Sequence, residues 1–183
     1  MRTFLAIPIP DDIKSNLSAA VKRLTPVGTD VTWCQRGNFH LTLAFLGETA
    51  PAILPHVTAA TERVCAARPA FTCRAYGLGF FGNRRNPKVI WAGVDPSDEL
   101  EALHEGLWLE LKKFGYENEE KDFRPHITLG RCRDSARNHA LIEAMDADVD
   151  IEFGEWPVRR VTLYESRSSP HGPVYRTLAQ TAL

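Results

Sequence analysis

Two stretches of this chain, 86 residues apart, carry the same succession of strand, helix and strand, and that repeat restricts the fold more than any other feature. The tetrad His40-Leu41-Thr42-Leu43 returns as His126-Ile127-Thr128-Leu129, an offset of 126 − 40 = 86. Sliding the chain over itself by that amount without a gap also sets Pro10 on Pro96, Asp12 on Asp98, Leu17 on Leu103 and Val21 on Leu107. Upstream of each tetrad lie an apolar strand candidate (Thr3 to Ile9; Val89 to Val94), a proline with acidic residues, and an amphipathic helix candidate. The first helix puts Ile13, Leu17, Val21 and Leu24 on one stripe, and the second puts Leu100, Leu103, Leu107, Leu111 and Phe114 on one. Two copies of one unit predict a single bilobal domain over residues 1–183 with pseudo-twofold symmetry, in which two equivalent central strands each bring a histidine to a shared cleft.

In a strand, a two-residue step sets each His and its Thr on one face and the aliphatics on the other. With 6 His and 13 Thr among 183 residues, chance supplies about 0.4 His-x-Thr pairs, yet three occur. The third, His56-Val57-Thr58-Ala59, sits among Ile53, Val57, Ala60 and Val64 at helical spacing. On a helix His56 and Thr58 diverge by about 200°, so that copy is expected to be an ordinary exposed helix.

A chain of 183 residues buries a sizeable core as one domain or two small lobes. A net charge of −1 argues against coating long nucleic acid through bulk electrostatics, although a single phosphate needs only a local positive site. Cys34, Cys65, Cys73 and Cys132 show no C-x-x-C spacing and read as reduced, mostly buried thiols. The apolar start from Phe4 to Ile9 is interrupted by Pro8 and followed by Pro10 and Asp11-Asp12, a poor match to a signal peptide. No stretch approaches the roughly 20 apolar residues of a membrane span. The expected address is the cytoplasm, with no membrane and no obligate protein partner, as a monomer.

After the first tetrad, Gly47 ends the strand, a helix is predicted from Pro51 to Ala67, and Phe71 to Gly79 reads as extended. Phe80 to Lys88 reads as a loop and is the most basic short stretch; its Arg84 and Arg85 are candidates for an RNA-backbone contact, against a solvated hairpin tip. Beyond the second tetrad come a short helix at Ala136 to Met145 and strands at Val149 to Phe153, Val158 to Tyr164 and Val174 to Leu178, with a turn-rich Ser166 to Pro173 between the last two.

Histidine, with an ordinary pKa near 6.5, takes either protonation state near neutrality, so two of them divide acid and base work on a phosphodiester while nearby hydroxyls donate to the non-bridging oxygens. The competing chemistries lack their signatures. His-Glu-x-x-His is absent and neither tetrad is flanked by a carboxylate, so no metal or other cofactor is expected. There is no Gly-x-Ser-x-Gly elbow and no Gly-rich phosphate loop.

The segments His40-Leu41-Thr42-Leu43-Ala44-Phe45-Leu46-Gly47 and Pro125-His126-Ile127-Thr128-Leu129-Gly130-Arg131, with the opening Phe4-Leu5-Ala6-Ile7, resemble the two-histidine (2H) phosphoesterases. Within them the chain is most similar to bacterial RNA 2′,3′-cyclic phosphodiesterases, formerly called 2′-5′ RNA ligases, over essentially its whole length. The resemblance implies an α+β fold with antiparallel sheets lining a central groove and helices outside. It implies His40 as general acid, His126 as general base, and Thr42, Thr128 and Arg131 on the phosphate, with Phe4, Phe45 and Tyr164 as candidate base contacts. The activity implied is hydrolysis of RNA 3′ ends or nucleotides bearing a 2′,3′-cyclic phosphate to 2′-phosphomonoesters, with 2′-5′ ligation as the reverse. The alternatives are an enzyme of the same kind acting on 2′-5′ oligonucleotides or small cyclic nucleotides, and a binding module without catalysis.

Overall fold

The computed structural model describes residues 1–118, 122–133, 138–170 and 172–183. Strand β1 (Arg2–Pro8) leads through helix α1 (Asp11–Leu24) and the short β2 (Val31–Trp33) to β3 (His40–Glu48). Helix α2 (Leu54–Ala66) is followed by the hairpin β4 (Phe71–Asn83) and β5 (Asn86–Val94), then α3 (Asp98–Leu111) and β6 (His126–Cys132). Helix α4 (His139–Ala147), β7 (Glu152–Val158), β8 (Arg160–Ser169) and β9 (Gly172–Ala182) complete the order.

The helices form where apolar spacing and end chemistry agree. In α1 the buried positions are Ile13, Leu17, Ala20 and Leu24, with Asp11 and Asp12 in the first turn facing the positive end of the helix dipole. In α3, Leu100, Leu103, Leu107 and Leu111 are buried, and the Ser97 hydroxyl caps the helix by accepting from the Leu100 amide at 3.2 Å. His56 lies on α2, exposed and stacked on Phe114 at 5.5 Å, as the helical spacing predicts.

All strand pairings are antiparallel, in the order β7-β4-β5-β6-β3-β1-β8-β9, with β2 joined to β6. The sheets expected on either side of the groove are thus one continuous sheet among the described residues, pinched where β3 meets β6 at the single pair Leu41↔Ile127. Helices α2 and α3 pack together against β8, β9 and β3, while α1 and α4 cover the other end by β4 and β7. The core runs continuously beneath the pinch through Leu41, Leu43, Ile127 and Leu129, all at most 2% exposed.

Phe80 to Lys88, read as a loop, is mostly strand, and strand pairing also runs into the turn-rich Ser166 to Pro173 on either side of its turn. Of Phe80 to Lys88, only Arg84 and Arg85 form the turn, and the flanks pair as Phe80↔Ile90, Phe81↔Val89 and Asn83↔Asn86. In the Ser166 to Pro173 stretch, Ser166↔Tyr175, Arg167↔Val174 and Ser168↔Pro173 continue the β8–β9 ribbon. Both are ends of two-stranded ribbons rich in turn-forming and polar residues, so they lack the alternation that marks a half-buried strand. The helix expected from Ala136 is observed from His139, and Ala136 lies outside the described residues. The strand expected at Val149 to Phe153 starts three residues later, at Glu152.

The register refines the ungapped repeat. Strands β3 and β6 are 86 residues apart, but the strand partners of the two histidines, Pro8 and Gly93, are 85 apart. Because one residue of slip exchanges the two faces of a strand, Leu5, Ile7 and Ile9 of the core correspond to Ile90, Ala92 and Val94 rather than to their neighbours.

Candidate active site

The antiparallel pair Leu41↔Ile127 sets the site. With those two side chains in the core, the residues on either side of each, His40 and Thr42 on β3 and His126 and Thr128 on β6, emerge together on the opposite face. The pairing also directs His40 toward Thr128 and Thr42 toward His126. All four line one cleft of about 1020 Å³, together with Arg131.

Both imidazoles are held in the same way. His40 Nδ1 lies 2.7 Å from the Asn38 carbonyl oxygen, and His126 Nδ1 lies 2.7 Å from that of Arg124, in each case two residues back along the chain. A carbonyl only accepts, so each Nδ1 carries the hydrogen and donates it, which makes Nε2 the basic nitrogen of each neutral ring. Fixing the tautomer and the ring through a backbone partner positions an acid–base group without adding a charge beside it.

The surroundings of the two rings differ. His40 is flanked by Phe4 at 4.7 Å and by Tyr175 edge-on at 5.2 Å, while His126 meets Phe81 edge-on at 4.8 Å and Trp91 at 6.3 Å. Burial holds the His40 pKa down at about 4; the bond to Asn38 raises it, and the positive charges of His126, Arg131 and Lys14 lower it further. At neutral pH His40 is therefore a neutral imidazole, and an anion placed beside it would favour its protonated form.

The expected residues divide into three groups. His40, Thr42, His126, Thr128, Arg131 and Phe45 share the cleft. Phe4, 3% exposed, lies behind His40 with Tyr164 stacked on it at 5.3 Å, so these two rings support the histidine and do not line the cleft. Arg84 and Arg85 are at the β4–β5 hairpin tip, away from the cleft lining, where Arg84 is paired with Asp146 at 2.5 Å. Among the described residues, no group of three or more His, Cys, Asp or Glu side chains is placed to hold a metal ion. Cys34 and Cys132 border the cleft as free thiols, each with its pKa raised by burial.

Sequence reasoning missed Tyr175 beside His40, Trp91 and Phe81 beside His126, and the two carbonyls behind the rings. Only the last had a local signal, since each lies at a fixed step of two before its histidine.

Two imidazoles held through Nδ1, each beside a threonine on a common face of one cleft, make this the cleft of a two-histidine phosphoesterase. The sequence profile of the 2′-5′ RNA ligase superfamily matches residues 14–170, and the chain belongs to that family. It is 36% identical over 179 residues to the RNA 2′,3′-cyclic phosphodiesterase of Thermotoga maritima, covering 97% of this chain and 93% of that protein. The crystal structure of TT0787 of Thermus thermophilus superposes with a TM-score of 0.85 at 30% identity, covering 100% of this chain and 98% of that one. Escherichia coli LigT complexed with 3′-AMP gives a TM-score of 0.80 at 25% identity, covering 100% of this chain and 97% of that one.

Proposed function

We propose that this chain hydrolyses the 2′,3′-cyclic phosphate at an RNA 3′ end to a 2′-phosphomonoester, with His40 as general acid and His126 as general base. The observation that carries this reading is the matched pair of imidazoles, each held through Nδ1 by a carbonyl two residues back and each lining one cleft beside a threonine. Its relatives named RNA 2′,3′-cyclic phosphodiesterase, at 36% and 33% identity over 97% of the chain, support the same substrate.

In the proposed reaction His126 Nε2 takes a proton from water as the oxygen attacks phosphorus, and His40 Nε2–H gives a proton to the departing 3′ oxygen. The hydroxyls of Thr42 and Thr128 and the guanidinium of Arg131 donate to the non-bridging oxygens, where charge builds up. The bound phosphate supplies the negative charge that keeps His40 protonated against its buried surroundings. With an RNA 5′ hydroxyl attacking in place of water, the same two transfers in the same direction form a 2′-5′ linkage, and their reverse cleaves one. The two halves of the domain are read as copies of one ancestral unit, and Arg84 and Arg85 as outlying contacts for longer RNA. Four free thiols fit a reducing cytoplasm, and among the described residues no helix is long and apolar enough to cross a membrane.

The test is turnover of a short RNA ending in a 2′,3′-cyclic phosphate, with and without EDTA. Ring opening at the same rate in both is expected. Activity lost on chelation and restored by zinc or manganese would replace this reading with a metal-dependent one.

A further inference from the structure

The cleft is symmetric at the histidines and asymmetric beyond them. Each central strand carries a bulge one residue past its threonine. Ala6 pairs with Thr42 but Leu5 pairs with Ala44, which leaves Leu43 extra; Trp91 pairs with Thr128 but Ile90 pairs with Gly130, which leaves Leu129 extra. A bulge shifts the alternation by one, so the residue two further on, Phe45 or Arg131, turns to the histidine face instead of the core. The two equivalent positions thus hold an aromatic ring and a cation.

The strand edges beyond them differ as well. At the Arg131 end, β2 runs alongside β6 through Val31↔Cys132, Thr32↔Arg131 and Trp33↔Gly130, and the Cys34 amide donates to the Leu129 carbonyl at 2.8 Å. Among the described residues no strand pairs with the matching edge of β3 past Leu41. The cleft continues there to a wall that includes Trp108, Tyr116 and Phe123.

Those three rings are fixed in place. The Tyr116 hydroxyl donates to Thr49 Oγ1 at 3.1 Å, and Thr49 Oγ1 is bonded to Thr3 Oγ1 at 2.8 Å. The Trp108 indole N–H donates to His104 Nε2 at 3.1 Å, and Phe123 stacks on the His104 ring at 3.8 Å with 9° between planes. Phe45, which lines the same cleft, is 52% exposed. The cavity, at about 1020 Å³, lies at the top of the 300–1,000 Å³ range of small-molecule sites, and its lining runs from the histidines to Phe45 and Tyr116.

We infer that the Phe45 end is a subsite for the nucleotide that precedes the cyclic phosphate in the RNA chain, its base lying among Phe45, Tyr116 and the rings held by His104. This rests on the hydrolase reading above. Pre-set aromatic faces cost little ordering on binding and stack any base, so the subsite is tolerant of sequence. It also gives a near-symmetric cleft a direction: the chain enters over Phe45, and the terminal phosphate meets Arg131.

Three substrates with the wild-type protein test this: a 2′,3′-cyclic mononucleotide, a dinucleotide with the same cyclic end, and that dinucleotide with its 5′ base removed. Stacking of one base predicts a kcat/KM for the dinucleotide higher than for the mononucleotide by roughly 5- to 150-fold, most of it lost without the 5′ base. Phe45→Ala should shrink that ratio and Phe45→Tyr should keep it. Equal efficiency on mononucleotide and dinucleotide, full efficiency of the abasic dinucleotide, or a ratio unmoved by Phe45→Ala would overturn the subsite while leaving the hydrolase reading intact. No turnover of any of the three would overturn both.

Discussion

In the proposed reaction His40 and His126 divide one task, and the cost of losing either follows from that. His40→Ala and His126→Ala are each expected to lower turnover of a cyclic-ended RNA by about 10²–10⁴-fold with the circular dichroism of the folded chain retained, because each removes one partner of a proton-transfer pair. His56→Ala is expected to be nearly silent, since that ring lies exposed on α2 against Phe114. A loss as large as that of the other two would put the third tetrad in the site. The low pKa of His40, about 4, has two consequences of definite sign. Below its ordinary unfolded value near 6.5 the unfolded chain takes up this proton before the folded one does. This residue therefore withdraws stability as pH falls from about 6.5 to 4, and the Tm of His40→Ala should fall less steeply than that of the wild type across that window. As an acid His40 works protonated, so its titration forms an alkaline limb, and the substrate's phosphate must move that limb to higher pH in kcat than in kcat/KM. Identical limbs in the two profiles would remove His40 from the acid role.

Strands β4 and β5 hold the surroundings of His126 by packing that leaves no slack. Trp91 on β5, which flanks His126, lies over Gly79 of β4, where an added Cβ would fall 2.1 Å from the indole. Gly79→Ala is expected to cost about 1–3 kcal/mol by forcing the indole aside, and to slow turnover through the displaced surroundings of His126. A Tm and a rate both equal to those of the wild type would show that the ring moves freely. At this scale much was legible in the sequence: the four long amphipathic or apolar elements of the repeat, the face shared by His40 and Thr42, and the helix under His56 all follow from spacing. The bulges do not. Strict alternation from His40 puts Phe45 with Leu41 and Leu43 in the core, and only the extra residue at Leu43 brings it to the cleft. Strand β2 is three residues long, too short for a periodic signal, yet it closes one end of the site. Tyr116, Trp108 and Tyr175 reach the cleft through long-range packing that no local pattern encodes.

The whole molecule carries a net charge of −1, so its attraction for RNA is local. Arg84 is already paired with Asp146 on α4, and Arg85 sits beside it at the hairpin tip, outside the cleft. Replacing both with alanine is expected to weaken binding by an amount that grows with RNA length and to flatten the salt dependence for long substrates. Equal losses on a cyclic mononucleotide would place the hairpin tip in the catalytic site. In the proposed reaction, the direction in which the RNA end lies in the cleft, with Phe45 at one end and Arg131 at the other, decides which bond breaks. With His40 giving its proton to the 3′ oxygen and His126 activating water on the opposite side of phosphorus, the phosphate stays on the 2′ oxygen. Phosphorus NMR of the product from a short cyclic-ended RNA, compared with authentic 2′- and 3′-phosphate standards, reads this directly: a 2′-phosphomonoester is predicted, and a predominant 3′-phosphate would contradict the assignment of the two histidines.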